Sequence, residues 1–321
     1  MQSKKVLITG FSGFVGRHFL QYLIERDECF DVCGLDITDP GFDISADSNK
    51  VAVQFHKVNL LDKSALRIIL QSFRPEYILH LASFSSVAFS WDYPEESFVN
   101  NTNIFLNLVS ILKELDISCR VLSVGSSEEY GNVSKDQLPL CEDILLRPVS
   151  PYAVARVSQE MLSKIFADRY HMDIVMTRSF NHIGRWQDER FAVPSYIRRI
   201  LNTKDSGAKS GCIETGNISL IRDFVDVRDV VHAYYLLLMK GTSGEIYNIC
   251  SGKGIALEEI IRLLSEIIGV EVKTQTNPQY VRPDDNAIII GSYEKIEREL
   301  GWKPTISLEE SLRDMVAEMS R

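Results

Sequence analysis

Residues 4–16 read KKVLITGFSGFVG, an apolar run that leads directly into a turn rich in glycine. Apolar residues then recur at helical spacing as far as Ile24, which predicts an amphipathic helix. Between strand and helix, Gly10, Gly13 and Gly16 form G-x-x-G-x-x-G. Glycine lets the backbone turn tightly and approach a pyrophosphate, and a helix N-terminus presents free N–H groups and a positive dipole end to that anion. The stretch therefore predicts a dinucleotide site, with a plain packing turn as the alternative.

An acidic residue closes the second predicted strand, since Asp36 lies twenty residues beyond Gly16. A carboxylate at this place accepts both ribose hydroxyls of NAD and repels the extra phosphate of NADP. The sequence therefore favours NAD as the cofactor, with a solvated strand end as the alternative. Asn59 follows the third predicted strand and is placed to meet adenine. Further cofactor contacts are expected beside these motifs, at Phe14, Val15, Leu60, Leu81, Ala82 and Ser83.

Short apolar runs alternate with helical patterns through the first half of the chain. Strands are predicted near residues 6–9, 30–35, 51–58, 77–79 and 120–124, and helices near 15–24, 63–73, 96–115 and 152–170. Such alternation predicts an α/β fold, a Rossmann-like doubly wound parallel sheet covered by helices on both faces.

The second half is less regular, and residues 205–216 are predicted to form a polar loop. We expect an NAD-binding domain made of residues 1–180, joined by 221–250. Residues 181–220 and 251–321 are expected to form a smaller, discontinuous α+β domain that binds the substrate.

Composition limits the partners. The 321 residues carry a net charge of -9, which argues against nucleic acid as a partner because phosphate binding needs a basic field. The six cysteines and six histidines show no metal-ligand spacing, so no metal site is expected. No signal peptide pattern is present, and the longest apolar runs are too short to span a bilayer. A soluble cytoplasmic protein without a membrane partner is expected.

Ser126, Tyr152 and Arg156 are the candidate catalytic residues. Oxidising an alcohol, or reducing a ketone, needs a hydride carrier and a group that exchanges one proton with the oxygen. A tyrosine beside a cation can exchange that proton near neutral pH. Tyr152 and Arg156 are four residues apart on a predicted helix, so they lie one turn apart on one side. Ser126 ends the fifth predicted strand, at the edge where doubly wound sheets bind ligands. The alternative is a packing tyrosine and a surface cation.

Several motifs together resemble one protein family along essentially the whole chain. They are the glycine turn, His80-Leu81-Ala82, GSSEEYG at 125–131, SPYAVAR at 150–156, FNHIG at 180–184 and RDFVDVRD at 222–229. In this combination they are similar to the extended short-chain dehydrogenases/reductases that modify nucleotide sugars. The chain most resembles GDP-4-keto-6-deoxymannose reductases, with GDP-mannose 4,6-dehydratases as near relatives.

The resemblance implies an NAD(H)-dependent oxidoreductase that acts at C4 of a GDP-hexose or related GDP-sugar, in the biosynthesis of cell-surface polysaccharide. Ser126 and Tyr152 would lie at the C4 oxygen, and Arg156 at the nicotinamide ribose. The substrate would contact Ser86, Ser127, Asn181, Arg222 and Arg282. Arg222 and Arg282 can each bind phosphate in a bidentate manner, and ion pairs with Asp223 or Asp284 are the alternative.

Other activities stay open because of Glu128. In the dehydratases a glutamate at this place removes the C5 proton, so a 4,6-dehydratase with recycled NAD is the alternative function, and a nucleotide-sugar epimerase is another. Three residues, at two places in the chain, depart from the family pattern. Arg156 replaces the usual lysine and cannot relay a proton. Arg185-Trp186 replaces the usual Pro-Gly, and the indole is expected to alter the shape of the sugar pocket.

A homodimer is also implied. The predicted helix at 96–115 has an apolar stripe that includes Phe98, Phe105 and Leu112. Relatives pair two such helices with the Tyr152 helices in a four-helix bundle between subunits. Plain core packing would explain the same stripe.

Overall fold

The computed structural model describes residues 3–44, 50–281 and 286–321. In these ranges the chain forms thirteen β-strands: β1 Lys4–Thr9, β2 Phe30–Asp36, β3 Val51–Lys57, β4 Tyr77–His80, β5 Arg120–Ser126, β6 Asp173–Ser179, β7 Asn181–Ile183, β8 Ser210–Thr215, β9 Ile221–Asp226, β10 Ile246–Ile249, β11 Gly254–Ala256, β12 Glu271–Thr276 and β13 Ile288–Ile289.

Eleven α-helices accompany these strands in the same ranges: α1 Phe14–Ile24, α2 Lys63–Phe73, α3 Val87–Asp92, α4 Pro94–Phe98, α5 Ile104–Glu114, α6 Pro151–Tyr170, α7 Ala192–Asp205, α8 Val227–Lys240, α9 Leu257–Ile268, α10 Glu294–Leu300 and α11 Leu308–Met319. The chain also has short 3₁₀ turns at Ser127–Tyr130, Lys135–Gln137 and Pro278–Tyr280.

The main sheet has seven strands in the order β10-β6-β5-β4-β1-β2-β3, and every neighbouring pair is parallel. Strand order reverses between β1 and β4, so the connections run away from this point in both directions. A crevice at the carboxyl ends of the strands opens at such a switch point. The predicted doubly wound Rossmann-like sheet is confirmed.

Side chains of β1 show why the sheet needs cover on both faces. Val6 and Ile8 pack on one face with residues of α1 and α8, whereas Leu7 packs on the other with residues of α2 and α5. Successive residues of a strand point to opposite faces, so an uninterrupted apolar run fits a sheet buried on both sides.

A smaller sheet joins β7, β9, β11 and β13, and a third core lies among α7, α9 and α11. The prediction of a polar loop at 205–216 is wrong, because β8 runs from Ser210 to Thr215 and pairs in parallel with β12. Much of β8 is exposed, and an edge strand of a two-stranded sheet can therefore carry a polar sequence. Helix α7 precedes it and was not predicted.

The long helix predicted at 96–115 is interrupted. α4 continues into α5 through a π-helical turn at Val99–Asn103. Such turns are often found at functional sites. Here the turn aims Asn101 at the loop after β4, where its side chain bonds to both the N–H and the C=O of Phe84.

All six cysteines are unpaired. Within the described ranges, no group of three or more His, Cys, Asp or Glu side chains could hold a metal ion. None of the helices in the same ranges is both long and apolar enough to cross a bilayer.

Candidate active site

The glycine turn after β1 has no room for a side chain at Gly10 or at Gly16. Gly10 has a positive φ of 69°, and a Cβ added there would lie 2.8 Å from the backbone nitrogen of Ala82. A Cβ on Gly16 would lie 2.4 Å from the carbonyl oxygen of Phe11. Only glycine therefore lets the turn contact both the loop after β4 and the first turn of α1.

The start of α1 is suited to an anion. Its N-cap is Gly13, which has no side chain to bond the first amides, and no acidic residue lies in the first turn. Phe14, Val15 and Gly16 begin the helix, and their N–H groups are among those that a helix leaves without an internal partner. The turn and helix therefore fit the pyrophosphate of a dinucleotide.

The carboxylate of Asp36 is held beside this turn. Its Oδ2 accepts a hydrogen bond from the N–H of Ser12 at 3.0 Å, and its Oδ1 accepts one from the N–H of Thr38 at 3.2 Å. The exposed Asn59 accepts at its Oδ1 from the N–H of Leu61. The side chain of Leu60 packs in the core beneath α2 and α5.

The loop after β4 forms the other wall of the crevice. Leu81, Ala82 and Ser83 are partly exposed there. The N–H of Ala82 donates to the hydroxyl of Thr9, which also bonds Nδ1 of His80 at 2.9 Å. Burial, and then the charge of Arg156, lower the pKa of His80 to about 3, so this imidazole is neutral. Ser86 caps α3 by accepting from the N–H of Phe89.

Tyr152 and Arg156 meet on α6. Ser150 caps this helix and Pro151 begins it, which places Tyr152 in the first turn. The Nε of Arg156 donates to the phenol oxygen of Tyr152 at 3.2 Å. Tyr152 is 5% exposed and Arg156 is 4% exposed, so both side chains are almost entirely buried. The structure thus brings together two of the three predicted catalytic residues.

Ser126 begins a short 3₁₀ turn that carries Ser127 and Glu128. Its hydroxyl accepts from the N–H of Glu128 at 3.2 Å, and its own N–H donates to Oε1 of Glu129 at 2.6 Å, which completes a capping box. Ser127 is buried and Glu128 is half-buried. The turn leaves β5 at its carboxyl end, where the sheet has its crevice.

A buried acidic cluster lies beneath this turn. Arg178 forms a bidentate ion pair with Glu160, with both distances below 3 Å and both side chains below 5% exposure. Oε2 of Glu129 has no hydrogen-bond partner among the described residues. Burial, followed by the charge of Glu160, raises the pKa of Glu129 well above its usual range. The raised pKa favours the uncharged form of the Glu129 carboxyl beside the Arg178–Glu160 ion pair.

Two of the predicted substrate-binding residues, Asn181 and Arg222, lie on strands β7 and β9 of the smaller sheet. Asn181 donates through Nδ2 to the carbonyl oxygen of Asp223, and Arg222 donates to the carbonyl oxygen of Asn286 at 2.7 Å. The carboxylate of Asp223 accepts hydrogen bonds from Ser251, Gly252 and Gly291. Arg282 and Asp284 lie outside the described residues.

Trp186 lies between two elements that are far apart in the sequence. Its ring stacks on the guanidinium of Arg17, 3.5 Å from the ring centroid, and packs against His18 on α1. Its Nε1 donates to Glu318 of α11 at 2.9 Å. The indole thus joins the first and last helices. Its expected effect on the shape of the sugar pocket stays a prediction.

Comparisons with known proteins agree with this geometry. The family model for GDP-mannose 4,6 dehydratase matches residues 7–315. The chain belongs to the GDP-mannose 4,6-dehydratase family. The resemblance to extended short-chain dehydrogenases/reductases, a family of enzymes, is thereby confirmed.

Relatives cover nearly the whole chain. GDP-6-deoxy-D-mannose reductase of Pseudomonas aeruginosa is 30% identical over 316 residues, 98% of this chain and 97% of that protein. GDP-6-deoxy-D-talose 4-dehydrogenase of Aggregatibacter actinomycetemcomitans is 28% identical over 92% of this chain and 91% of that protein. A structure of RMD from Pseudomonas aeruginosa with NADPH has a TM-score of 0.85 at 30% identity and covers 99% of both chains. UDP-glucose 4-epimerase of Thermotoga maritima with UDP-glucose has a TM-score of 0.86 at 29% identity, covering 98% of both.

Three residues around this family's site were not singled out from the sequence, namely Asn101, Glu129 and Gln159. Asn101 could have been found from the polar run VNNTN inside an otherwise apolar helix. Glu129 follows Ser126 at capping-box spacing, which is a readable signal. Gln159 carries no local signal, because its role depends on what α6 faces.

We predict that Glu129→Gln stabilises the protein increasingly as pH rises. A carboxyl whose pKa is raised on folding contributes stability that is lost above its unfolded pKa, and a neutral amide does not titrate. The free energy of unfolding of the variant, relative to the parent, should rise steadily between pH 5 and pH 8. Urea unfolding at several pH values measures this difference.

Glu160→Gln is the matched control, because it removes the charged partner of the buried Arg178. It should destabilise the protein at every pH, by about 3 kcal/mol. A loss of stability that is the same at every pH in both variants would contradict a raised pKa of Glu129.

Proposed function

We propose that the protein is an NAD(H)-dependent oxidoreductase that acts at C4 of a GDP-hexose or a related GDP-sugar, reducing a 4-keto group or oxidising a C4 hydroxyl. The observation that carries the proposal is the Tyr152–Arg156 hydrogen bond on α6, in a chain whose glycine turn and open α1 N-terminus fit a dinucleotide. Two relatives of nearly full length are named for reactions of GDP-6-deoxy sugars.

A dinucleotide held by the glycine turn and the start of α1 would supply the hydride acceptor or donor. Tyr152 exchanges the proton with the C4 oxygen, and Ser126 donates a hydrogen bond to the same oxygen. Arg156 stabilises the ionised phenol by donating to it, but it does not pass a proton onward because a guanidinium does not deprotonate. Most of the acceleration comes from fixed positioning and preset dipoles.

The substrate is held from the opposite side of the crevice. Asn181 and Arg222, on neighbouring strands of the smaller sheet, contact the sugar diphosphate together with Arg282. Ser86 and Ser127 contact the sugar. We assign residues 1–180 and 221–250 to the cofactor domain, and 181–220 and 251–321 to the substrate domain. Within 221–250, α8 and β10 pack with the main sheet and β9 lies in the smaller one. A cytoplasmic role in making precursors of cell-surface polysaccharide fits such an enzyme.

A 4,6-dehydratase is the second candidate. Glu128 lies two residues after Ser126 on the same 3₁₀ turn, so its carboxylate is carried at the same edge of the sheet as the proposed C4 site. The family model that matches the chain is named for this reaction. A dehydratase needs a base for the C5 proton, and Glu128 is the carboxylate placed to provide it.

We predict NADH oxidation when the purified protein is given GDP-4-keto-6-deoxymannose, followed as loss of reduced-nicotinamide absorbance. Tyr152→Phe should lower kcat by about 10² to 10⁴, because the proton donor is lost. Tyr170→Phe makes the same change at an exposed position of α6 and should leave kcat unchanged.

A different outcome distinguishes the second candidate. A dehydratase would consume GDP-mannose without net change in cofactor, and Glu128→Gln would abolish this turnover. If the protein turned over neither GDP-4-keto-6-deoxymannose nor GDP-mannose, the result would contradict both candidate functions.

We predict that the protein binds NADH more tightly than NADPH, because Asp36 repels a 2′-phosphate. Asp36→Asn removes that charge and keeps an oxygen for the N–H of Ser12, so the preference should fall about tenfold. Fluorescence titration with each cofactor measures the ratio. Asp39→Asn, an exposed acid paired with Lys57, is the control. A parent that prefers NADPH would refute the role given to Asp36.

We propose that two copies form a homodimer through a four-helix bundle made of α4–α5 and α6 from each copy. Val154, Met161 and Ile165 recur on one face of α6 and are all exposed, and Phe98 of the adjacent α4 is exposed too. Apolar residues at this spacing form a stripe that needs a partner helix.

We predict that Ile165→Glu converts a dimer into a monomer, because it places two charges inside the bundle. Sedimentation velocity gives the mass of each protein. Ile68→Glu introduces the same charge on the exposed face of α2 and should leave the mass unchanged. A monomeric parent would rule out the bundle.

A further inference from the structure

We propose that Gln159 is a positioning residue of the active site, which holds the guanidinium of Arg156 in the orientation that donates to the phenol of Tyr152. The inference rests on the proposed function, since it concerns the same proton transfer. Gln159 lies one turn beyond Arg156 on α6 and is 1% exposed.

The contacts form a continuous chain behind the phenol. Nε of Arg156 donates to the oxygen of Tyr152, and one terminal nitrogen donates to Oε1 of Gln159 at 2.7 Å and to the carbonyl oxygen of Val124 at 3.2 Å. Because a guanidinium is planar, fixing a terminal nitrogen also fixes the direction of Nε. Gln159 thus sets the geometry of the bond to Tyr152.

Gln159 is itself held from the other end. Its Nε2 donates to the hydroxyl of Ser123 at 2.9 Å and to the carbonyl oxygen of Val124. Ser163 bonds both that hydroxyl and the backbone oxygen of Gln159. Reversing the amide would set its NH₂ against the guanidinium, so the contacts select one orientation.

The charge of Arg156 matters as much as its direction. Within the described part of the chain, the three acceptors of its guanidinium are all neutral: a phenol, a backbone carbonyl and an amide. A carboxylate in the place of Gln159 would cancel much of the positive charge that acts on the phenol. A neutral amide fixes the cation and leaves its field directed at Tyr152.

The test compares Gln159→Leu, which removes the acceptor, with Gln159→Glu, which keeps an acceptor and adds a negative charge. Gln71→Leu on the exposed face of α2 controls for the substitution itself. NADH-dependent reduction of GDP-4-keto-6-deoxymannose is followed across pH, with melting curves for every protein.

Gln159→Leu should lower kcat about 10- to 100-fold with KM within about threefold, because the donor to the phenol is misplaced. Reduction needs the protonated phenol, and a phenol that loses its donor stays protonated to higher pH, so the alkaline limb of the pH profile should move upward. Gln159→Glu should keep more of kcat and still move that limb upward. A parental kcat and pH profile in Gln159→Leu overturns the proposal. If that variant does not fold, an unmoved limb in Gln159→Glu overturns it.

A second readout separates this inference from the proposed function. Should the parent turn over neither sugar, the proposed function fails, yet the phenol can still be titrated without cofactor. The tyrosinate absorbance of each protein minus that of its Tyr152→Phe form isolates this one group. An ionisation midpoint at higher pH in Gln159→Leu than in the parent supports the positioning role, and equal midpoints overturn it.

Discussion

The close approach of the glycine turn to the loop after β4 is the constraint on which the site depends. A single Cβ at Gly10 would collide with the backbone of Ala82, so the turn and the loop can touch only because the side chain is missing. This contact lies between β1 and β4, where strand order reverses. It holds the glycine turn, and with it the start of α1, beside the loop after β4, and the walls of the crevice follow from it.

Two buried arginines, Arg178 and Arg156, are held by different kinds of partner. Arg178 is paired with Glu160, and burial raises the pKa of Glu129, which favours its uncharged form beside the pair. Arg156 is held by neutral groups and keeps its field for the phenol. The first arrangement supports the turn that carries Ser126, whereas the second acts on Tyr152. Burying a cation has a free-energy cost in both cases, and only at Arg156 is the charge directed at the proposed proton donor.

Much of the main sheet and of the candidate site could be predicted from the sequence, because the decisive signals are local. The glycine turn, Asp36 and the Tyr152–Arg156 spacing each lie within one element and its neighbour, and the main sheet follows from strand–helix alternation. Strand β8 was missed because an exposed edge strand lacks an apolar pattern. Glu129 looks like a surface acid beside Glu128, and its burial depends on the space that Gly125 leaves, where a Cβ would lie 2.4 Å from the carboxyl. The contacts of Gln159 depend on the packing of α6 against β5. The local sequence of α6 does not show which strand the helix faces.

Trp186 also affects the rigidity of the chain segment that follows β7. It adopts a left-handed backbone at φ 69°, which costs a non-glycine residue about 1 to 2 kcal/mol, and its stacking and hydrogen bond offset that cost. Trp186 therefore links α1 to α11 through its side chain. A chain that ended before Glu318 would lack the hydrogen-bond acceptor of the indole. The backbone of Trp186 would then relax from its strained conformation, and the segment after β7 would become less rigid.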